Sequence, residues 1–139
     1  MDQFRDIKRI SFEQIEMNLF RRLQRAFCET LKQALEQVDA MLLAARDKDR
    51  YMSKDLRSRK LDTLLGEVEI RRRYYWDNEK QEHVALLDQM LGLEKRERIS
   101  GGLAVVGSLL AVLGPSYRGA SEALGGLFGG FFGCFYLCA

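Results

Sequence analysis

The feature that most constrains the fold is an unbroken helical pattern that begins at Ser11 and continues to about Ala45. Apolar residues recur there at steps of three and four, which places them in one stripe along a helix. The stripe consists of Phe12, Ile15, Leu19, Phe20, Leu23, Phe27, Leu31, Leu35, Val38 and Leu42. Ser11 and Gln14 have the spacing of a capping box, in which each side chain bonds the other residue's backbone N–H. The pattern predicts a helix of about 35 residues, roughly 50 Å long at 1.5 Å per residue.

A helix of this length presents more apolar surface than a small domain covers, so the stripe needs a partner. One arrangement packs the segment from Phe20 to Leu42 against a second copy of the chain or against another domain. The other arrangement buries the stripe within the chain. The sequence favours the first and leaves the second open, because a single apolar seam on a long helix is typical of helix–helix association.

The segment Arg46–Lys60 follows the helix and carries charges of both signs with almost no apolar spacing. That composition predicts an exposed connector that leads into a sheet.

A three-stranded antiparallel meander is predicted after this connector. A first strand through Leu61, Thr63 and Leu65 leads to a tight turn at Gly66 and then to a long second strand. The turn DNEKQE precedes a short third strand at His83–Leu87, where His83 is expected to be a cross-strand surface residue.

The second strand sets three arginines, Arg71–Arg73, directly against three aromatic residues, Tyr74–Trp76. Alternation places Val68, Ile70, Arg72, Tyr74 and Trp76 on one face. It places Glu67, Glu69, Arg71, Arg73 and Tyr75 on the other face. Arginines can bridge phosphates and aromatic rings can stack on bases, so this strand is a candidate nucleic-acid surface. A structural sheet is the alternative, in which cross-strand ion pairs occupy the charges on the face of Glu67, Glu69, Arg71 and Arg73, and Tyr74 and Trp76 cover the long helix.

Glycine becomes frequent and charge rare after about Ser100. Gly92 is a predicted break, and an apolar segment from Gly102 to Gly114 predicts a helix that stops at Pro115. A further short helix fits Ser116–Leu124, and the Gly/Phe-rich residues beyond it support no assignment. The predicted fold class is therefore α+β, with a long N-terminal helix, a three-stranded antiparallel meander and then one or two short helices.

Several function classes are disfavoured by the composition. The net charge of +2 is small, so nucleic-acid binding would require local clustering of basic residues. The chain has three cysteines and one histidine, with no zinc-site spacing and no glycine-rich phosphate-binding motif. We therefore expect no catalysis, no cofactor and no metal in this region. The N-terminus lacks a signal-type apolar core, which predicts a cytoplasmic protein.

Four blocks of sequence carry a resemblance to a known family. They are RDKDRY at Arg46–Tyr51, TLLGEVEIRRRYYWD at Thr63–Asp77, LLDQMLGLEKRERIS at Leu86–Ser100, and SYRGASEALG at Ser116–Gly125. In this order the chain resembles the Lre-type insertion-sequence transposases. The resemblance implies a DNA transposition protein whose complete members are longer and include an acidic-triad catalytic domain that binds divalent metal ions.

The resemblance also implies a division of the chain. Residues 1–99 correspond to the transposase N-terminal region, 100–125 to the start of a helix-turn-helix region, and 126–139 form an aberrant apolar tail. No recognition helix and no catalytic acidic residue can be carried over, so we expect a truncated copy that is not itself an enzyme. A divalent metal is expected only in the missing catalytic domain.

The predicted function is DNA binding and assembly for a transposition enzyme, with transposon ends as the partner. The candidate phosphate contacts are Arg57, Arg59, Lys60, Arg71, Arg72 and Arg73. A homo-oligomer through the long helix is compatible with this function. Two alternatives remain: a small cytosolic helical dimerisation module that does not bind DNA, and a membrane-tethered protein that uses the uncharged segment Ala123–Ala139. Membrane attachment is the least favoured, because glycines weaken that segment as a helix.

Overall fold

The computed structural model describes residues 11–113 together with Gly119 and Glu122. Its elements are α1 (Phe12–Ala45), β1 (Tyr51–Thr63), β2 (Gly66–Asp77), β3 (Glu82–Val84), α2 (Leu86–Met90) and α3 (Gly101–Leu113). The three strands form one antiparallel sheet in the order β1-β2-β3. The predicted α+β arrangement of a long helix, a three-stranded meander and short helices is confirmed.

Helix α1 begins at the predicted capping box. The Ser11 hydroxyl accepts from the Gln14 backbone N–H at 3.2 Å, and the Gln14 side chain accepts from the Ser11 N–H at 3.1 Å. These two bonds satisfy donors that have no partner inside the helix. The helix ends where Arg46 becomes extended, with φ −64° and ψ 151°. Its guanidinium donates to the carbonyls of Leu43 and Tyr51, which fixes the turn into the sheet.

The apolar residues of α1 divide into two groups. The C-terminal group lies against a core made by both long strands and α2. That core consists of Leu61, Val68, Ile70 and Leu87, packed against Cys28, Leu31, Leu35, Val38, Leu42 and Leu93. The N-terminal group includes Phe12, Leu19 and Leu23, which are 80%, 60% and 60% exposed. Burial within the chain therefore accounts for the C-terminal half of the helix, and the N-terminal half is left uncovered by the described residues.

Strands β1 and β2 form one long hairpin, paired from Tyr51↔Asp77 to Thr63↔Gly66. A two-residue turn joins them, and Gly66 has φ +147°, which favours glycine. The prediction of a tight turn at Gly66 is confirmed. The prediction of an exposed connector is wrong in one respect for residues 51–60, which belong to β1, although most of them are exposed as predicted. Residues 52–58 are exposed, so pairing with β2 holds them in a strand without any apolar alternation.

Strand β3 is shorter than predicted. It covers Glu82–Val84, and residues predicted to continue it turn into α2, where Leu87 is fully buried. His83 is an exposed cross-strand neighbour of Trp76, as predicted, and the two rings meet edge to face at 4.9 Å. Gly92, the predicted break, has φ +67° just after α2.

The short β3 leaves most of one edge of β2 without a strand, and α1 covers that edge. The Arg71 backbone N–H donates to the Glu36 carboxylate at 3.0 Å. The Arg73 N–H donates to the Asp39 carboxylate at 3.1 Å. Two acidic residues of α1 thus replace the missing strand as acceptors, which occupies two of the donors that an open edge would offer to another chain.

The outer edge of β1 is extended by the segment before α3. The Asp62 N–H donates to the Arg98 carbonyl at 2.6 Å, and the Ser100 N–H donates to the Asp62 carbonyl at 2.9 Å. Helix α3 follows at Gly101–Leu113, one residue from its predicted start, and its Leu103 is buried.

Of the predicted helix at Ser116–Leu124 the structure describes Gly119 and Glu122, which are both helical. The rest of that segment and the apolar tail lie outside the described residues. Within the described part of the chain, no helix is both long enough and apolar enough to cross a bilayer.

Candidate nucleic-acid interface

The six predicted phosphate contacts occupy very different environments. Arg59 and Arg72 are buried, with 8% and 6% of their surfaces exposed. Arg73 is partly buried, whereas Arg57, Lys60 and Arg71 are exposed. The hairpin register explains the first pair, because both arginines continue the face of the sheet that carries the core residues Leu61 and Ile70. α2 and the segment after it close over this face.

The two buried arginines share one carboxylate. Arg59 Nη1 lies 2.8 Å from Asp88 Oδ2, and Arg72 Nε lies 2.7 Å from the same oxygen. Asp88 directly follows the buried Leu87 in α2, so the packing of that short helix positions the Asp88 carboxylate beside the two arginines. Two guanidinium charges against one carboxylate leave this buried cluster with a net positive charge.

Backbone carbonyls complete the arginine contacts. Arg59 Nη2 donates to the carbonyls of Glu94 and Glu97, which ties the segment after α2 to β1. Arg72 Nη1 donates to the carbonyls of Arg57 and Ser58 at 3.3 and 3.5 Å. These bonds give both side chains a clear structural role. Their role as phosphate contacts stays a prediction.

Arg73 and Arg57 are also engaged within the fold. Arg73 Nη1 lies 2.8 Å from Asp39 Oδ2, so one carboxylate holds both the side chain and the backbone N–H of this arginine. Arg57 lies 2.9 Å from Asp55, and its guanidinium sits 4.6 Å from the centre of the Tyr74 ring. A cation over an aromatic face is attracted by the ring quadrupole.

Lys60 and Arg71 remain on the exposed face of the hairpin. Lys60 Nζ is 3.4 Å from Glu67, which also binds Arg98 at 3.1 Å. Arg71 makes no ion pair within residues 11–113. Glu67 thus makes a cross-strand ion pair with Lys60 of β1 and a second ion pair with Arg98 before α3.

A basic cleft lies at the outer edge of β1, and it includes residues that the sequence alone did not single out. Its volume is about 300 Å³. It is lined by Ser58, Arg59, Lys60, Arg72, Lys95, Arg96, Glu97 and Arg98. Six of these side chains are cationic and one is anionic. Four of the cations pair with the carboxylates of Asp88, Glu67 and Asp62, which leaves the group with a smaller net positive charge. We call this feature the β1 cleft.

The β1 cleft brings together three parts of the sequence: Ser58–Lys60 of β1, Arg72 of β2, and Lys95–Arg98 before α3. Lys95 and Arg96 are exposed at its rim and form no ion pair with any residue that the structure describes. Both belong to the sequence EKRER, and the high charge density of that segment is the sequence feature by which they could have been identified. Arg98 is placed by its backbone contact to Asp62.

Comparison with known proteins gives the family. The chain matches the uncharacterised protein family UPF0236 over residues 6–130, which is most of its length. It belongs to UPF0236. It is 31% identical over 111 residues to the "UPF0236 protein in vanSb 3'region" of Streptococcus gallolyticus, a match that covers 80% of this chain and 24% of that protein. The chain thus spans about a quarter of the length of this relative. No solved structure gives a significant match.

Neither comparison names an activity, so the resemblance of this UPF0236 chain to Lre-type transposases stays a prediction. Among the described residues no group of three or more His, Cys, Asp or Glu side chains could hold a metal ion. Burial raises the pKa of the Cys28 thiol, which disfavours the thiolate at neutral pH.

Proposed function

We propose that this UPF0236 chain is the DNA-binding and assembly region of a transposase-like protein, and that it contributes no catalytic group of its own. The β1 cleft carries the proposal, because it concentrates six cationic side chains in a protein whose net charge is only +2. The order of the four sequence blocks that resemble Lre-type transposases supports the same function.

The chemistry of the cleft favours a polyanion. Arginine and lysine bind phosphate oxygens through charge-assisted hydrogen bonds, and nucleic acids present phosphates at regular spacing. Lys95 and Arg96 are exposed and unpaired within the described residues, so binding a phosphate does not first require breaking an internal ion pair. Lys60 extends the same basic surface onto the hairpin face, where Arg71 is a further exposed cation.

The first prediction concerns duplex DNA. We expect binding that weakens steeply with salt, because each neutralised phosphate releases condensed counterions. Four phosphate contacts would give a slope of about −3.6 in log K against log salt, and an affinity loss of about 100-fold between roughly 50 and 200 mM salt. Fluorescence anisotropy with a labelled duplex measures both quantities.

A pair of matched variants tests whether the predicted hairpin face takes part. Lys60→Gln/Arg71→Gln removes two exposed cations and should flatten the salt slope by about 1.8. Lys48→Gln/Lys80→Gln removes the same charge near the opposite end of the hairpin and should leave the slope close to that of the parent. Absence of duplex binding at low salt would contradict the proposed function.

Assembly through α1 is a second candidate role, and the exposed apolar residues of its N-terminal half favour it. Phe12, Ile15, Leu19 and Leu23 recur at helical spacing and are 80%, 46%, 60% and 60% exposed. An apolar stripe of this kind is typical of surfaces that pack against another helix.

The second prediction is that Leu19→Glu/Leu23→Glu weakens self-association by at least about 100-fold, because burial of each leucine contributes roughly 1.5–3 kcal/mol. Sedimentation velocity over a range of concentrations measures the effect. Met41→Glu is the control, since Met41 is 64% exposed on the same helix but far from this stripe. A parent chain that stays monomeric at high concentration would exclude this role.

A further inference from the structure

We propose that the β1 cleft is a seat for a single phosphate group of a nucleic-acid backbone, held by main-chain N–H groups of β1 as well as by basic side chains. The inference rests on the proposed function and adds the atoms that make the contact. Two observations support it: the direction of the β1 backbone N–H groups, and the excess of positive charge on the floor of the cleft.

The backbone of β1 offers donors to the cleft. Asp62 directs its N–H and C=O away from β2, since they bond to Arg98 and Ser100. In an antiparallel ladder this direction alternates from one residue to the next. The register is continuous from Asp55 to Thr63, so Lys60 and Ser58 also direct their N–H groups outward. The segment Lys95–Arg98 accepts from neither of them within the described residues.

The side chains of the cleft add donors around the same position. Ser58 and Lys60 both line the cleft, and the Ser58 hydroxyl makes no hydrogen bond to the described part of the chain. Arg72 uses Nε and Nη1 for Asp88 and for two carbonyls, and its Nη2 makes no hydrogen bond to a described residue. A phosphate oxygen is an acceptor that suits all of these groups.

The charge balance selects an anion. Arg59 and Arg72 are buried in the floor and are opposed by the single carboxylate of Asp88, so the floor is positive. Lys95 and Arg96 add two charges at the rim. The anionic lining residue is Glu97, whose carboxylate accepts a hydrogen bond from the Glu94 backbone N–H at 3.1 Å. That bond holds the carboxylate within the turn Glu94–Glu97.

The size of the cleft fits a phosphate within a chain. Its volume of about 300 Å³ is roughly ten times the share of one water molecule in the liquid. That leaves room for the phosphate and for the sugar carbons on either side. The lining contains no aromatic ring and no Asn or Gln side chain that would read a base. Main-chain N–H groups at the edge of β1 suit phosphate oxygens, and contacts to phosphate fix the position of the nucleic acid rather than its sequence.

The test uses the full chain and two ligands. Inorganic phosphate is titrated while thermal unfolding is followed, with chloride at matched ionic strength as the reference. A labelled DNA duplex is titrated in parallel. We expect phosphate to raise the unfolding temperature of the parent chain above that in chloride, because a ligand that binds only the native state stabilises it.

Variants then locate the seat. Lys95→Gln/Arg96→Gln should abolish the phosphate-specific stabilisation, lower duplex affinity at least about 10-fold and flatten the salt slope by about 0.9, the value for a single neutralised phosphate. Ser58→Ala removes only a hydroxyl donor and should lower duplex affinity about 3-fold, the effect of one weak hydrogen bond. Lys48→Gln/Lys80→Gln serves again as the charge-matched control and should change neither measurement.

The outcomes distinguish failure of the phosphate seat from failure of the proposed function. Duplex binding that is equal in the cleft variants and in the control overturns the seat and leaves the proposed function standing. Stabilisation by phosphate without any duplex binding overturns the proposed function, and with it a nucleic-acid source for the phosphate. Loss of both signals in the cleft variants alone supports the seat.

Discussion

Replacing Asp88 by alanine is expected to lower the free energy of unfolding by about 3–5 kcal/mol, the range found when one partner of a buried ion pair is removed. Asp88 is the carboxylate shared by Arg59 and Arg72, whose side chains are each only 7% exposed. Its removal leaves two guanidinium charges side by side without a counter-charge. Chemical denaturation followed by circular dichroism gives the change directly.

Two comparisons identify the origin of that destabilisation. Asp55→Ala removes a carboxylate that pairs with Arg57 at 2.9 Å, but both side chains are about half exposed, so we expect a change below about 1 kcal/mol. Asp88→Leu combined with Arg59→Met and Arg72→Met should recover most of the stability, because no unpaired charge remains. If the triple variant is no more stable than Asp88→Ala, unpaired charge is not the cause.

The elements with strong local signals were predictable from the sequence. α1 was recognisable because its apolar residues follow the helical period over more than thirty positions and because Ser11 and Gln14 form a capping box. The turn of the hairpin was recognisable because Gly66 stands between two strand-like segments, and the structure gives Gly66 the positive φ that favours glycine. Local chemistry determines both features, so distant residues were not needed to predict them.

The first half of β1 was not predictable from local pattern. Residues 52–58 are exposed and largely charged, so no alternation of apolar and polar residues marks them as a strand. They are held in place by the ladder to β2, whose partners lie up to 26 residues away at Tyr51↔Asp77. The five-residue α2 was missed for a similar reason, because it is too short to show a helical period.

The burial of Arg59 and Arg72 was hidden for a different reason. Both sit in sequence among exposed basic residues, and alternation alone could not distinguish a solvated arginine from a buried one. Their common partner Asp88 lies 29 and 16 residues away. The rim of the β1 cleft likewise depends on the contact of Asp62 with Arg98 at the edge of the sheet, a pairing that only the tertiary structure shows.

Replacing Asp39 by alanine is expected to destabilise the chain by about 3 kcal/mol and to expose the open edge of β2. Asp39 is 1% exposed, and its two oxygens accept from the backbone N–H and from the guanidinium of Arg73. Truncation leaves a backbone donor unsatisfied, which costs roughly 1–3 kcal/mol, and removes a charge-assisted bond worth about 1.5–3 kcal/mol. Denaturant titration measures the total, and hydrogen exchange of the Arg73 amide measures the local opening.

Glu36 provides the matched control, because its carboxylate accepts from the Arg71 N–H at 3.0 Å but the contact is exposed to water. Water can replace that acceptor, so Glu36→Ala should cost no more than about 1 kcal/mol. Asp39→Asn keeps an acceptor for the Arg73 N–H while removing the charge. Its loss of free energy of unfolding should lie between those of Asp39→Ala and Glu36→Ala. Faster exchange of the Arg73 amide in Asp39→Ala, but not in Glu36→Ala, is the result that follows if α1 substitutes for a missing strand. Equal exchange in both variants would show that the edge of β2 is protected without Asp39, and that α1 stabilises the sheet through its apolar contacts alone.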